Sequence, residues 1–189
     1  MTNDPEVARA AAEAAARQSY GKLIAYLAAR MRDVAGAEDA LADAFAAALE
    51  RWPQTGVPQK PEAWLLAVAR RRRVDAIRRR LTSEAGRDHL RLIAEEMEAR
   101  MIDEDLPDER LRLMFACAHP AIEAGVRAPL ILQTILGFDA ATIASAFLVS
   151  PATMGQRLVR AKSRIRETGI PFRVPERAEL GERLDAVLE

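Results

Sequence analysis

Residues 139–162 have the sequence DAATIASAFLVSPATMGQRLVRAK, and this stretch predicts two helices joined by a tight turn. Asp139 can cap the first helix, and Ser150 can cap the second. Pro151 then takes the first helical position, where its missing N–H costs nothing. The inner face of the first helix is expected to carry Ala140, Ile143, Ala144 and Phe147. This arrangement is typical of a helix-turn-helix.

The second helix, taken to residue 166, divides into an apolar and a polar side. At about 100° per residue, one side carries Met154, Leu158, Ala161 and Ile165. The opposite side carries Gln156 and Arg160, and in a major groove Arg pairs with guanine and Gln with adenine. An ordinary amphipathic hairpin with a solvated basic face is the alternative. The predicted DNA contacts are Ser150, Pro151, Thr153, Gln156, Arg157, Arg160, Lys162 and Arg164.

The rest of the chain also predicts helices. Half of the 189 residues are apolar but only 5% are aromatic, and no stretch has the alternation of a strand. We expect an all-α protein with two small helical domains, residues 1–81 and 107–169, an acidic linker at 82–106 and a tail at 170–189. The expected helices are 4–18, 19–33, 37–52, 61–80, 107–117, 120–135, 139–146, 151–167 and a short one at 176–188. A loop is expected at 53–61.

Charge is unevenly distributed although the formal net charge is zero. Residues 70–80 hold seven arginines against the single acid Asp75, and residues 151–166 hold five basic residues and no acid. Residues 82–109 hold ten acidic residues against three basic ones. Binding to phosphates depends on such a local field and not on the average charge. Each domain therefore has its own predicted nucleic-acid surface.

Two further features of the first domain each allow two interpretations. Trp52 and Trp64 flank a loop with three prolines, where they could hold a base of single-stranded DNA or simply pack in the core. Glu38, Asp39, Asp43 and Glu50 surround an alanine-rich surface on the helix 37–52. That helix is either a docking surface for a partner helix or an ordinary solvated amphipathic helix.

Several functional classes are excluded by the residues present. Cys117 is the sole cysteine, and with His89 and His119 it does not make a closed zinc site. No residues resemble a catalytic constellation or a phosphate-binding loop. We therefore expect no enzyme activity, no metal and no cofactor. Without a signal peptide or an apolar run of about 20 residues, a cytoplasmic protein with no membrane contact is expected.

These segments together resemble a bacterial extracytoplasmic-function (ECF) sigma factor of RNA polymerase. Residues 37–45 resemble the helix that docks on the clamp helices, residues 64–79 the helix that melts and reads the −10 element, and residues 139–166 the −35 reader. The resemblance implies polymerase contacts at Glu38, Asp39, Leu41, Asp43 and Phe45. It implies −10 contacts at Lys60, Arg70, Arg71, Arg72, Arg73, Arg78 and Arg79. In these terms residues 1–81 are sigma region 2 and residues 107–169 sigma region 4.

One ECF group is resembled more closely, namely the group that usually carries a long C-terminal helical extension. The similar stretches are residues 108–120, 146–149, 156–162 and 169–175, and residue 189 lies about where such an extension is expected to begin. The implied partners are the polymerase core, through its beta-prime clamp helices and beta flap, and promoter DNA. An anti-sigma factor or a C-terminal extension is the implied regulator. Leu148 occupies a turn position where many such motifs have glycine.

Two other functions are compatible with the same helix-turn-helix. A one-component transcription regulator would bind DNA without docking on polymerase, usually as a dimer on two half-sites. A sigma mimic that sequesters a regulator would lack promoter activity.

Overall fold

A computed structural model describes residues 4–79, 108–177 and 179–181, and within 72–79 it describes the backbone alone. All regular elements in these residues are helices, which confirms the all-α prediction. The predicted linker at 82–106 lies outside the described residues, as does most of the predicted helix at 176–188. The helices are α1 (Pro5–Met31), α2 (Val34–Thr55), α3 (Pro61–Arg79), α4 (Arg110–Cys117), α5 (Ala124–Thr134), α6 (Ala140–Ala146) and α7 (Pro151–Glu167).

Contacts between residues divide the chain into two compact units that are interleaved in sequence. The first unit comprises Met1–Ser19 and Glu38–Pro107, and the second comprises Tyr20–Ala37 and Asp108–Glu189. The stretch Tyr20–Ala37, called the turn segment below, covers the end of α1 and the beginning of α2. Helix α1 therefore contributes residues to both units.

Helix α1 is one continuous helix, so the predicted division into helices at 4–18 and 19–33 was wrong. Gly21 is the sole helix-weakening residue in that region, and an isolated glycine costs a helix only about 1 kcal/mol. The helix ends where Arg32 adopts a left-handed backbone with φ of 51°. The Arg32 N–H still donates to the Ala28 carbonyl at 2.8 Å, which closes the last turn.

Helix α2 is longer than predicted at both ends. Asp33 caps its beginning, since its Oδ1 accepts a hydrogen bond from the Gly36 N–H at 3.1 Å. Pro53 was expected to begin a loop but lies inside the helix. A proline so near the end removes only one hydrogen bond. The helix ends instead at Thr55, and Gly56 after it has φ of 84° and donates its N–H to the Trp52 carbonyl at 2.9 Å.

The first unit has a core of small residues around one large aromatic. Trp52 is 1% exposed, and its ring lies edge-on to that of Trp64 with centroids 5.4 Å apart and planes at 65°. This burial confirms the core interpretation for Trp52, whereas Trp64 is half-buried. Ser19 on α1 donates a hydrogen bond to Glu62 Oε1 at 3.1 Å, at the start of α3. Other buried core residues of this unit are Ala44, Ala47, Ala48, Leu65, Leu66 and Ala69.

The second unit packs α4–α7 around a continuous apolar core. Each helix buries residues at helical spacing: Leu113, Ala116, Cys117, Val126, Leu130, Ile143, Ala144, Met154, Leu158 and Ile165. The hydroxyl of Thr134 donates to the Leu130 carbonyl at 2.8 Å and lies 3.6 Å from the Cys117 sulfur. The one cysteine is thus a core residue. None of the helices in the described ranges has an apolar stretch long enough to cross a bilayer.

Candidate nucleic-acid interface

Both predicted helix caps of the helix-turn-helix are formed. Asp139 Oδ1 accepts a hydrogen bond from the Thr142 N–H at 2.7 Å, and this bond lowers the pKa of the Asp139 carboxyl. Ser150 Oγ accepts a hydrogen bond from the Thr153 N–H at 3.1 Å, and Pro151 opens α7. Helices α6 and α7 therefore begin at the residues that the sequence indicated.

The turn between α6 and α7 has the hydrogen bonds of a Schellman motif. The Val149 N–H donates to the Ala144 carbonyl at 3.0 Å, and the Leu148 N–H donates to the Ser145 carbonyl at 3.3 Å. This motif needs a left-handed residue, and Leu148 supplies it with φ of 54°. Phe147 was expected on the inner face but is 40% exposed, since α6 already ends at Ala146.

Replacing Leu148 by glycine is expected to stabilise the second unit by about 1 kcal/mol. A left-handed backbone costs a branched L-residue roughly 1–2 kcal/mol and costs glycine almost nothing. The side chain of Leu148 is 93% exposed, so little packing is lost with it. Urea unfolding of the full chain, followed by far-UV circular dichroism, measures the change. The control Phe147→Gly should destabilise, because Phe147 has φ of −96°. A lower midpoint for Leu148→Gly would contradict the left-handed turn.

Helix α7 presents the two faces that its sequence predicts. Met154, Leu158, Ala161 and Ile165 are all buried. Gln156 and Arg160 lie exposed on the opposite side, with Arg160 Nη2 3.5 Å from Gln156 Oε1. Two side chains that can read base edges therefore stand side by side, one helical turn apart, on the outer face of a capped helix.

The predicted −35 contact residues differ in exposure. Arg157 is half-buried, and the exposed members are Ser150, Pro151, Thr153, Gln156, Arg160 and Arg164. Lys162 is only 8% exposed, so it lies on the buried side of α7 and not on the outer face. Its position four residues after the buried Leu158 is the sequence signal for this burial, so the prediction that Lys162 contacts DNA was wrong.

Three arginines of α7 converge on one cleft. Arg157, Arg160 and Arg164 line a cavity of about 250 Å³ together with residues around the start of α5. Ile122, Val126 and Ala161 supply apolar walls, and Glu123 also lines it. Guanidinium groups bind phosphate oxygens in bidentate fashion, so three of them in one cleft suit a phosphate-bearing ligand. Nothing in the sequence indicated that residues 121–126 complete this site.

The predicted polymerase-binding residues on α2 also differ in exposure. Asp39 and Asp43 are exposed and Glu38 and Phe45 are half-buried, whereas Leu41 is fully buried in the core. Leu41 therefore has no surface to offer a partner. The exposed side of α2, called the docking face below, is formed by Asp39, Ala42, Asp43, Ala46, Leu49 and Glu50. Leu49 is 49% exposed there and was missed as a surface residue.

The predicted −10 residues are described in part. Lys60 and Arg70 are exposed, and Arg71 is half-buried. The side chains of Arg72, Arg73, Arg78 and Arg79 lie outside the described part of the chain. Lys60 directly precedes α3, and Arg70 and Arg71 stand in its middle.

Comparisons with known proteins bear mainly on the N-terminal part of the chain. Residues 16–82 match the family model of sigma-70 region 2, and the helix-turn-helix lies outside this match. An uncharacterized protein of Rhizobium meliloti (strain 1021) is 38% identical over 175 residues, which are 90% of this chain and 40% of that protein. The chain thus spans about 40% of the length of the curated relative it matches. No solved structure matches significantly. The chain is therefore similar to sigma-70 region 2 over residues 16–82, and this match supports its placement in the sigma-70 family.

Proposed function

We propose that this protein is a sigma factor that directs core RNA polymerase to promoters and initiates transcription. The observation that carries the proposal is the region 2 match at residues 16–82, in a chain that also holds a capped helix-turn-helix. Region 2 binds core polymerase, and the helix-turn-helix supplies a second contact with promoter DNA. On the resemblance described above, we propose the ECF type and the group with a C-terminal extension.

The docking face of α2 suits a helical partner such as the beta-prime clamp helices. Ala42 and Ala46 lack long side chains, so a second helix can approach closely. Leu49 adds an exposed apolar contact, and Asp39, Asp43 and Glu50 add acidic groups beside it. A partner helix with basic residues would complement this surface. The beta flap is the proposed partner of the second unit.

The outer face of α7 is the proposed reader of the −35 element. Gln156 and Arg160 would contact base edges, while Arg157 and Arg164 at the cleft would hold the phosphate backbone. Ser150, Pro151 and Thr153 would lie at the N-terminus of α7, where backbone N–H groups also favour phosphate. We leave Lys162 out of this set because it is buried.

The −10 element is the proposed ligand of the first unit. Lys60 and Arg70 offer exposed cations at the start and in the middle of α3. Arg71, Arg72, Arg73, Arg78 and Arg79 are assigned to the same task from the resemblance. Regulation by an anti-sigma factor or by a C-terminal extension is proposed on the same ground.

Charge reversal on the docking face provides the test. We expect Asp39→Lys combined with Asp43→Lys to weaken binding to bacterial core polymerase at least tenfold, because like charges across an interface cost several kcal/mol. Co-elution of the 189-residue chain with core on gel filtration measures this. Glu6→Lys with Glu13→Lys makes the same charge change on exposed positions of α1 and should leave co-elution intact.

Transcription separates the proposal from its rivals. Core polymerase and this chain are supplied together with DNA templates that are randomised at the −35 and −10 positions. The templates that are transcribed should be enriched in one pair of elements at a fixed spacing. A one-component regulator would select DNA without polymerase and as a dimer. Absence of any enriched promoter, together with absence of co-elution, would refute the sigma assignment.

A further inference from the structure

The turn segment, residues 20–37, is an integral part of the second unit. Gly21 lies directly against the backbone at the end of α5, and a Cβ atom at position 21 would stand only 2.0 Å from the Ile135 carbonyl oxygen. No side chain could occupy that space. The backbone of α1 and the corner after α5 are therefore in direct contact.

A second contact lies beside the first. Gly137 follows α5 with φ of 74°, and a Cβ built on it would be 3.2 Å from Cδ1 of the Tyr20 ring. The ring of Tyr20 therefore lies against a glycine in a conformation that favours glycine. Two glycines, one on each side of the contact, permit the close approach.

A third contact reaches the DNA-reading helix itself. Asp33 Oδ2 lies 3.7 Å from Arg166 Nη1, in the last turn of α7. Arg166 belongs to the basic cluster at residues 151–166. Because both groups are partly exposed, at 24% and 55%, the pair adds little stability. It does, however, place a carboxylate against a cation of the recognition helix.

We propose that the turn segment is a built-in partner of the helix-turn-helix unit, and that it is displaced when α7 engages DNA. The proposal rests on the proposed DNA-reading function of α7. A carboxylate beside the recognition helix repels phosphate within a Debye length of about 8 Å, and it occupies Arg166. Thermodynamic linkage makes this effect reciprocal. Bound DNA weakens the association of the turn segment with α7 by the same factor by which that association weakens DNA binding.

Gly21→Ala tests the contact through the sign of its effect. On an open helix, alanine in place of glycine would shift the unfolding equilibrium about fivefold toward the folded state. Against the Ile135 carbonyl, the same methyl group must push the turn segment away. We expect the urea midpoint not to rise and hydrogen exchange of residues 131–139 to speed up at least tenfold. A higher midpoint with unchanged exchange would overturn the proposal.

Asp33→Asn tests the link to DNA, because asparagine keeps the cap on α2 while losing the charge. The probe is a fluorescein-labelled 20-base-pair duplex of random sequence, followed by anisotropy. Freeing Arg166 should steepen the slope of log K against log salt by about 0.9 and raise affinity about fivefold at 0.15 M salt. Gly21→Ala should also raise affinity. Unchanged affinity and slope in both variants would overturn the displacement.

The two proposals fail in distinguishable ways. If Arg166→Gln and substitution of the cleft arginines leave duplex binding unchanged, α7 does not read DNA and the proposed function fails. The exchange result for Gly21→Ala would still decide whether the turn segment holds the corner after α5.

Discussion

Substitution of Arg157, Arg160 and Arg164 together by glutamine is expected to weaken binding to duplex DNA about one hundredfold at 0.15 M salt. Each phosphate-bound cation releases condensed counterions, and the slope of log K against log salt changes by about 0.9 for each. Arg157 and Arg164 are the proposed phosphate contacts among the three, so the slope should flatten by about 1.8, and Arg160 adds the loss of its contact with base edges. Glutamine keeps much of the length of arginine and can still cover the apolar walls of the cleft, so the fold should persist.

Binding is measured by the fluorescence anisotropy of a labelled random-sequence 20-base-pair duplex. Repeating the titration from about 20 to 150 mM salt, at roughly 20 mM steps, gives the slope of log K against log salt. The matched control replaces Arg9, Arg17 and Arg112 by glutamine. These three are exposed and already paired with Glu13 or Glu109, and their loss changes the net charge equally. If the control flattens the slope as much as the cleft variant, the whole-protein charge would explain binding and the cleft would not.

Replacement of Trp52 by alanine is the second large effect that we expect. Removing a buried aromatic typically costs about 3–5 kcal/mol, which approaches the entire stability of a small domain. The first unit should unfold in large part at room temperature and lose the affinity for core polymerase that we propose for it. Far-UV circular dichroism with urea, together with core co-elution, provides the readout.

Two companion variants define what Trp52 contributes. Within the described residues its indole Nε1–H has no hydrogen-bond acceptor, so Trp52→Phe sacrifices volume but no hydrogen bond. We expect that change to cost about 1–2 kcal/mol. Trp64→Ala should cost less than Trp52→Ala because Trp64 is half-buried. An unchanged midpoint for Trp52→Ala would show that the indole is not packed in the core.

Local signals predicted the two helix caps of the helix-turn-helix to the residue. Asp139, Ser150 and Pro151 act through hydrogen bonds and backbone angles within four residues, so the sequence carries them directly. The apolar side of α7 was equally predictable from the sequence, since helical periodicity fixes which residues face inward. The helical class followed from composition.

Features that depend on tertiary contacts were harder to predict. Pro53 was taken as a helix end although the following Gly56 is the stronger terminator. Leu41 was assigned to a surface from the resemblance and Lys162 as part of the basic cluster 151–166, whereas each lies a helical turn from buried residues on its own helix. The closeness of Gly21 to Ile135 could not be foreseen, because 114 residues separate them in the chain. The boundaries of the domains at 81 and 107 remain predictions.

The glycine at position 21 also restricts how this gene could recombine. Consider a crossover that joins residues 108–189 of this chain to the N-terminal part of another protein, called the host. The host keeps its own α1, and the residue of that helix equivalent to position 21 would lie against the backbone after α5. Any host with a side chain at that position would clash with the incoming backbone. The two parts of the chain are therefore expected to be inherited together, and a small residue at position 21 should accompany this C-terminal unit through its lineage.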